Sequence, residues 1–120
     1  MKLLIKLFFL IFCYSCSKQT NITTNLNNQK IKITSEGMSF VPSHVECSIG
    51  DTIFFELNSY HNAVEVSQET YANNQSEILM GGFNIDFGED TFIVVNHSKT
   101  YYYLCQPHID EGMKGIIFVD

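Results

Sequence analysis

The chain has 120 residues, room for one domain with one core, since domains commonly run to roughly 100–150 residues; a multidomain enzyme is excluded. Seven lysines, no arginine and thirteen carboxylates make it acidic. Nucleic acid is thereby excluded as a partner, because binding a phosphate backbone needs clustered Lys or Arg.

At the N-terminus, Lys2 and Lys6 flank an apolar run of Leu3-Leu4-Ile5 and Leu7 to Phe12, far short of the roughly 20 residues that span a bilayer. Residues 1–15 therefore predict a signal peptide. Ser15 before Cys16 fits cleavage in front of a cysteine that then carries lipid, as in bacterial lipoproteins. Cys13 stands where that pattern has an aliphatic residue, and simple secretory cleavage is the alternative. Either route exports the protein, and the first anchors it through Cys16 to a bacterial membrane, on the periplasmic or cell-surface side. Beyond Cys16 five lysines face thirteen carboxylates, a net charge of −8 with histidines neutral; steering at long range favours a basic protein partner. Residues 16–29 are polar and rich in Asn and Thr, a tether whose reach is roughly 20 Å. The folded domain is expected over 30–120.

Within that domain Ile31 and Ile33 alternate with Lys30, Lys32 and Thr34, the period-two pattern of a half-buried strand. Further strands are expected over Val45–Ile49, Thr52–Leu57, Asn62–Val66, Thr91–Val95, Thr100–Cys105 and Gly115–Val119, with turn signals such as Gly50-Asp51 and Asn58-Ser59 between them. Seven to eight short strands of β-branched and aromatic residues predict an all-β sandwich with Greek-key connections. The long stretch Ser67 to Asp90 has no such pattern; it predicts one helical turn near Gln68–Asn74 and a loop covering an edge of the sandwich.

After the Thr100 strand a thiol, an imidazole and a thioether follow as C-x2-H-x4-M: Cys105, His108 and Met113. His61, where one strand ends and the next begins, supplies a second imidazole. One cysteine, two histidines and a weak methionine suit copper, and are the donors of a blue-copper electron-transfer site. Zinc takes the cysteine and histidines but gains little from the thioether. His44 and His97 read as surface residues, Met38 and Met80 as loop or packing residues, and Cys47 as a small buried residue. A disulfide between Cys47 and Cys105 would consume the metal thiolate and is not expected.

C-x2-H-x4-M followed by Lys114-Gly115 and a β run, with His61-Asn62 upstream and Gly50-Asp51-Thr52 opening the strand before it, resembles the small cupredoxins of the plastocyanin and pseudoazurin type over about Ile31 to Asp120. The resemblance implies one copper ion cycling between Cu(I) and Cu(II), a monomer, and a one-electron carrier rather than an enzyme. A copper storage or delivery protein is the alternative. It also implies that the backbone N–H of Asn62 meets the cysteine sulfur while the Asn62 side chain ties the two ligand loops. Pro107 has no N–H to give that sulfur, so one backbone donor is expected. Leu104 stands where plant plastocyanins carry the tyrosine of a remote docking site, so that route is not implied. Asp110 and Glu111 make the exit at His108 acidic, which favours a basic partner such as a c-type cytochrome or the copper domain of a terminal reductase.

Overall fold

The computed structural model describes residues 30–120. The signal peptide over 1–15, lipidation at Cys16 and the tether over 16–29 lie outside the described residues. Strand alternation sets the architecture. In β1 (Ile31–Glu36) and β4 (Thr52–Glu56) the residues Ile33, Ile53 and Phe55 point inward and are fully buried, while Lys32 and Glu56 face solvent and pair with each other at 2.6 Å. These strands run parallel, and with β2 (Ser39–Val41) and β7 (Asp90–Val94) they form a four-stranded sheet in the order β2-β1-β4-β7.

The second sheet has the order β3-β9-β8-β5-β6, from β3 (His44–Cys47), β9 (Lys114–Val119), β8 (Thr100–Leu104), β5 (Ala63–Val66) and β6 (Asn84–Ile85). Between the sheets a single apolar cluster joins Ile33, Phe40, Ile53 and Phe55 to Val45, Tyr103, Ile117 and Val119. Cys105 and Met113 belong to the same cluster, so two of the predicted ligands are core residues at one end of the sandwich.

Two differences from the sequence reading have physical causes. The strand expected over Val45–Ile49 stops at Cys47, because Ser48 to Asp51 turns back through Gly50 at φ 94 and leaves Ile49 exposed. Two extra strands, β2 and β6, are three and two residues long, too short for a periodic signal.

The Ser67 to Asp90 stretch is ordered around the five-stranded sheet. A helix α1 (Gln68–Ala72) starts at Ser67, whose hydroxyl accepts from the Thr70 N–H, the usual N-cap arrangement. Tyr71, on this helix, packs with Tyr102 over Val64, Val66 and Leu104 on the sheet's outer face. Every residue of β5 is therefore buried. Further along, β6 pairs with β5 and forms the edge of that sheet. Glu65, buried in β5, accepts from the Phe83 N–H at 3.1 Å and from Lys99 at 2.7 Å, which fastens this stretch to the sandwich. Gly82 fits against Glu65 only because it lacks a side chain, since an added Cβ would lie 2.9 Å from the Glu65 Cβ.

Candidate metal centre

His61 is set by the loop that precedes β5. The Asn58 side chain accepts from the Tyr60 N–H at 3.0 Å and its carbonyl accepts from the His61 N–H at 3.1 Å, an Asx-stabilised turn. The His61 carbonyl in turn accepts from the Gly88 N–H at 3.3 Å. Gly88 sits at φ 68, and a Cβ there would stand 3.1 Å from the Ser59 Cα; only glycine lets the β6–β7 turn close on this loop.

Cys105 lies one residue beyond β8, and its N–H donates to the Met113 carbonyl at 3.0 Å. A short 3-10 turn over Gln106–His108 follows, with Pro107 in its first turn, where a missing N–H costs nothing. The His108 carbonyl then accepts from the N–H groups of Glu111 and Met113 at 3.2 and 3.1 Å, and Gly112 takes φ 77 to close the loop. The x2 and x4 spacings are thus the lengths of two hydrogen-bonded turns. They bring Cys105 and His108 side by side and send Met113 back into the core, fully buried.

Three donor atoms meet at this pole. The Nδ1 atoms of His61 and His108 are 3.1 Å apart, and the Cys105 Sγ lies 3.7 Å from the first and 3.4 Å from the second. An ion bonded at roughly 2.0 Å to nitrogen and roughly 2.3 Å to sulfur, with angles of about 110–120°, separates its nitrogens by about 3.3–3.5 Å and each nitrogen from sulfur by about 3.5–3.7 Å. The triangle fits one metal ion. His61, Cys105 and His108 form a metal-ligating cluster, the first two buried and His108 half-buried. His44 and His97 are not part of it, and Met38 and Met80 are exposed to solvent.

The electrostatics favour the same occupant. Burial holds the His61 imidazole below its usual pKa, His108 adds to this, and a hydrogen bond to the Gly37 backbone opposes it; the ring prefers to be neutral, as a metal ligand must be. Burial pushes the Cys105 thiol up, against the backbone N–H groups of Asn62 and His108, while Glu111 pushes it further up. A thiolate here therefore gains from a neighbouring cation. The His108 N–H donates to the Cys105 carbonyl at 3.2 Å within the 3-10 turn.

The Asn62 side chain does tie two loops. Its Oδ1 accepts from the Gln106 N–H at 2.9 Å, and its Nδ2 donates to the Gln106 Oε1 at 2.9 Å. Gln106 was not singled out in the sequence. Its one signal was an amide directly after the ligand cysteine, able to give and take hydrogen bonds with Asn62 at once.

Residues 27–120 match the family model described as copper binding proteins, plastocyanin/azurin family. Among curated proteins, plastocyanin A/B of Petroselinum crispum is 30% identical over 96 residues, covering 76% of this chain and 99% of that one. The chloroplastic plastocyanin of Pisum sativum is 35% identical over 89 residues, covering 70% of this chain; the match spans about half of that protein, 53%. In fold the chain is similar to a pseudoazurin from Sinorhizobium meliltoi, with TM-score 0.59 and 22% identity over 76% of this chain and 73% of that one. It is likewise similar to an amicyanin from Paracoccus versutus, with TM-score 0.55 and 18% identity over 80% and 86% of the two chains.

Proposed function

The chain belongs to the plastocyanin/azurin family of copper binding proteins, and from that premise we propose that it is a one-electron carrier in which His61, Cys105, His108 and Met113 hold a single copper ion. The observation that carries this reading is the triangle of two imidazole nitrogens and one thiol, 3.1 to 3.7 Å on a side, at the end of a packed sandwich. Bound copper supplies a Cu(I)/Cu(II) couple. The protein's part is to keep the donors where they are in both oxidation states. Cys105 and Met113 are anchored in the core and to each other by a backbone hydrogen bond. Asn62 and Gln106 lock the His61 loop to the Cys105 loop. A site that hardly rearranges exchanges electrons at low cost, which is the reason to build it on rigid elements.

His108 is the ligand with an exposed edge, and it is the exit for the electron. Asp110 and Glu111, both exposed, stand two and three residues beyond it, which supports a basic redox protein as partner, such as a c-type cytochrome or the copper domain of a terminal reductase. Export with a lipid anchor at Cys16 belongs to the same proposal: Cys16→Ser is expected to move the protein from the membrane to the soluble fraction, and unchanged membrane association would remove the anchor from it.

The test of the carrier reading is the visible spectrum of the Cu(II)-loaded protein. An intense thiolate charge-transfer band that is lost in Cys105→Ser supports it. Stoichiometric copper without that band, or a band that survives the serine substitution, refutes it.

A further inference from the structure

The residues directly after Cys105 and Met113 both leave the ligand loop and take hold of one short segment. Gln106, already bonded twice to Asn62, donates from Nε2 to the Ser76 carbonyl at 3.0 Å. Lys114 donates from Nζ to the Tyr71 carbonyl and to the Asn74 Oδ1, each at 2.8 Å, and lies over the Tyr71 ring at 4.3 Å. The segment between these grips, Tyr71 to Ser76, is firm in its own right. The N–H groups of Asn73 and Gln75 donate back to the Glu69 and Thr70 carbonyls at 3.0 Å, and Asn74 takes the left-handed turn at φ 52, a conformation asparagine tolerates. Tyr71 seats it on the sheet against Tyr102.

We propose that residues 71–76 brace the copper loop, and that Gln106 and Lys114 are positioning residues that pass the brace's rigidity to the donors. The path is short. Gln106 cannot follow a displaced Ser76 without releasing Asn62, whose N–H bears on the Cys105 sulfur and which adjoins His61. Lys114 holds the other side of the loop through its chain neighbour Met113. This rests on the carrier reading for its redox consequence only; the mechanical claim is independent of copper.

Gln106→Glu separates the two functions of that side chain: a carboxylate still accepts from the Asn62 Nδ2 but has no donor for Ser76. Lys114→Met releases the other grip while keeping an unbranched chain over Tyr71. Loss of one such bond shifts a local opening equilibrium by roughly two- to twelvefold. In copper-free protein, amide hydrogen exchange at Gln75 in the brace and at Met113 in the loop is therefore expected to quicken by that factor in Gln106→Glu and by at least as much in Lys114→Met, which gives up two such bonds, with Phe54 in β4 unchanged. Faster exchange at Gln75 with Met113 at its original rate overturns the brace, and so does no change at either.

The copper-loaded protein supplies the second readout. Gln106→Met alters no charge, and an unbraced loop lets the donors relax toward the tetragonal geometry that Cu(II) prefers. Its potential is expected to fall and its charge-transfer band to move, with the band moving also in Gln106→Glu. Band and potential fixed in all variants while exchange quickens would overturn the positioning role. Absence of the band from the unaltered protein would refute the carrier reading instead, and the exchange rates would still decide the brace.

Discussion

Gly115→Ala sets two opposed effects against each other at one position of β9. Gly115 has no left-handed φ, so alanine is compatible with its backbone and, by restricting the unfolded chain, would stabilise by about 0.4–1 kcal/mol. Packing argues the other way. Gly115 stands opposite Tyr103 in the β8–β9 ladder, and a Cβ on it would lie 2.6 Å from the ring's Cε1 and closer still to Cζ and Oη. Carbon atoms rest at roughly 3.5–4.0 Å, so with Cζ at 2.1 Å the ring would have to retreat by about 1.4 Å or more. It has nowhere to go: Tyr103 is fully buried, with Phe40, Phe55 and Phe83 at centroid distances of 4.9, 5.7 and 5.9 Å.

Overpacking of this kind costs about 1–3 kcal/mol or more, which exceeds the entropic gain. A contact this close puts the cost at the upper end, about 3 kcal/mol, so after the gain of about 0.4–1 kcal/mol the net loss is about 2–2.6 kcal/mol, and at roughly 4–8 °C in Tm per kcal/mol the alanine variant is expected to melt about 8 °C lower at the least. Thermal unfolding of the copper-free protein measures it. In a double-mutant cycle Tyr103→Phe should leave most of the Gly115→Ala cost in place, because Cζ remains in the way, whereas Tyr103→Leu should abolish it. A Gly115→Ala protein as stable as its parent, or more so, would refute the reasoning.

The Tyr103 hydroxyl is buried with no hydrogen-bond partner, so Tyr103→Phe alone is expected to stabilise by about 1–3 kcal/mol at neutral pH, read from denaturant midpoints. Burial first, and then Tyr71, hold this phenol's pKa above its usual value; the stability that comes from keeping it neutral is complete below about pH 10 and lost as pH rises beyond that, and the phenylalanine variant should lack that alkaline loss. Met113→Leu should keep copper and its colour while raising the potential in redox titration, since it removes the weak axial donor; loss of colour would mean that Met113 is more than a weak ligand. Electron transfer to a basic cytochrome should slow with added salt, and Asp110→Asn with Glu111→Gln should slow it at low salt without altering the spectrum; rates flat with salt would remove the acidic exit from the account.

What was legible in the fold was whatever obeyed a short-range rule. Ile31 and Ile33 alternate with polar residues, and the runs from Thr52 and from Thr100 are rich in β-branched and aromatic residues; they became β1, β4 and β8. Alternation misled at Ile49, where the period continued but the chain turned at Gly50. It had nothing to act on in Ser39–Val41 or Asn84–Ile85, which are strands only because longer neighbours offer them a ladder.

The site divides along the same line. Cys105, His108 and Met113 stand at fixed spacing because two turns join them, and His61 betrays itself by standing at a strand start. The residues missed are those whose partners are remote: Gln106 meets Asn62 44 residues away and Ser76 30 residues away, and Lys114 meets Tyr71 43 residues away. Two of those partners are backbone carbonyls, which every residue has and which carry no sequence signature. A ligand is a constraint on residue type, since only a thiol or an imidazole can take its place. A brace constrains position, and many side chains able to donate at the right point could serve. Legibility in the sequence therefore ranks residues by how few alternatives their chemistry allows, and how much each contributes to holding the copper has to be read from the contacts that Gln106 and Lys114 make.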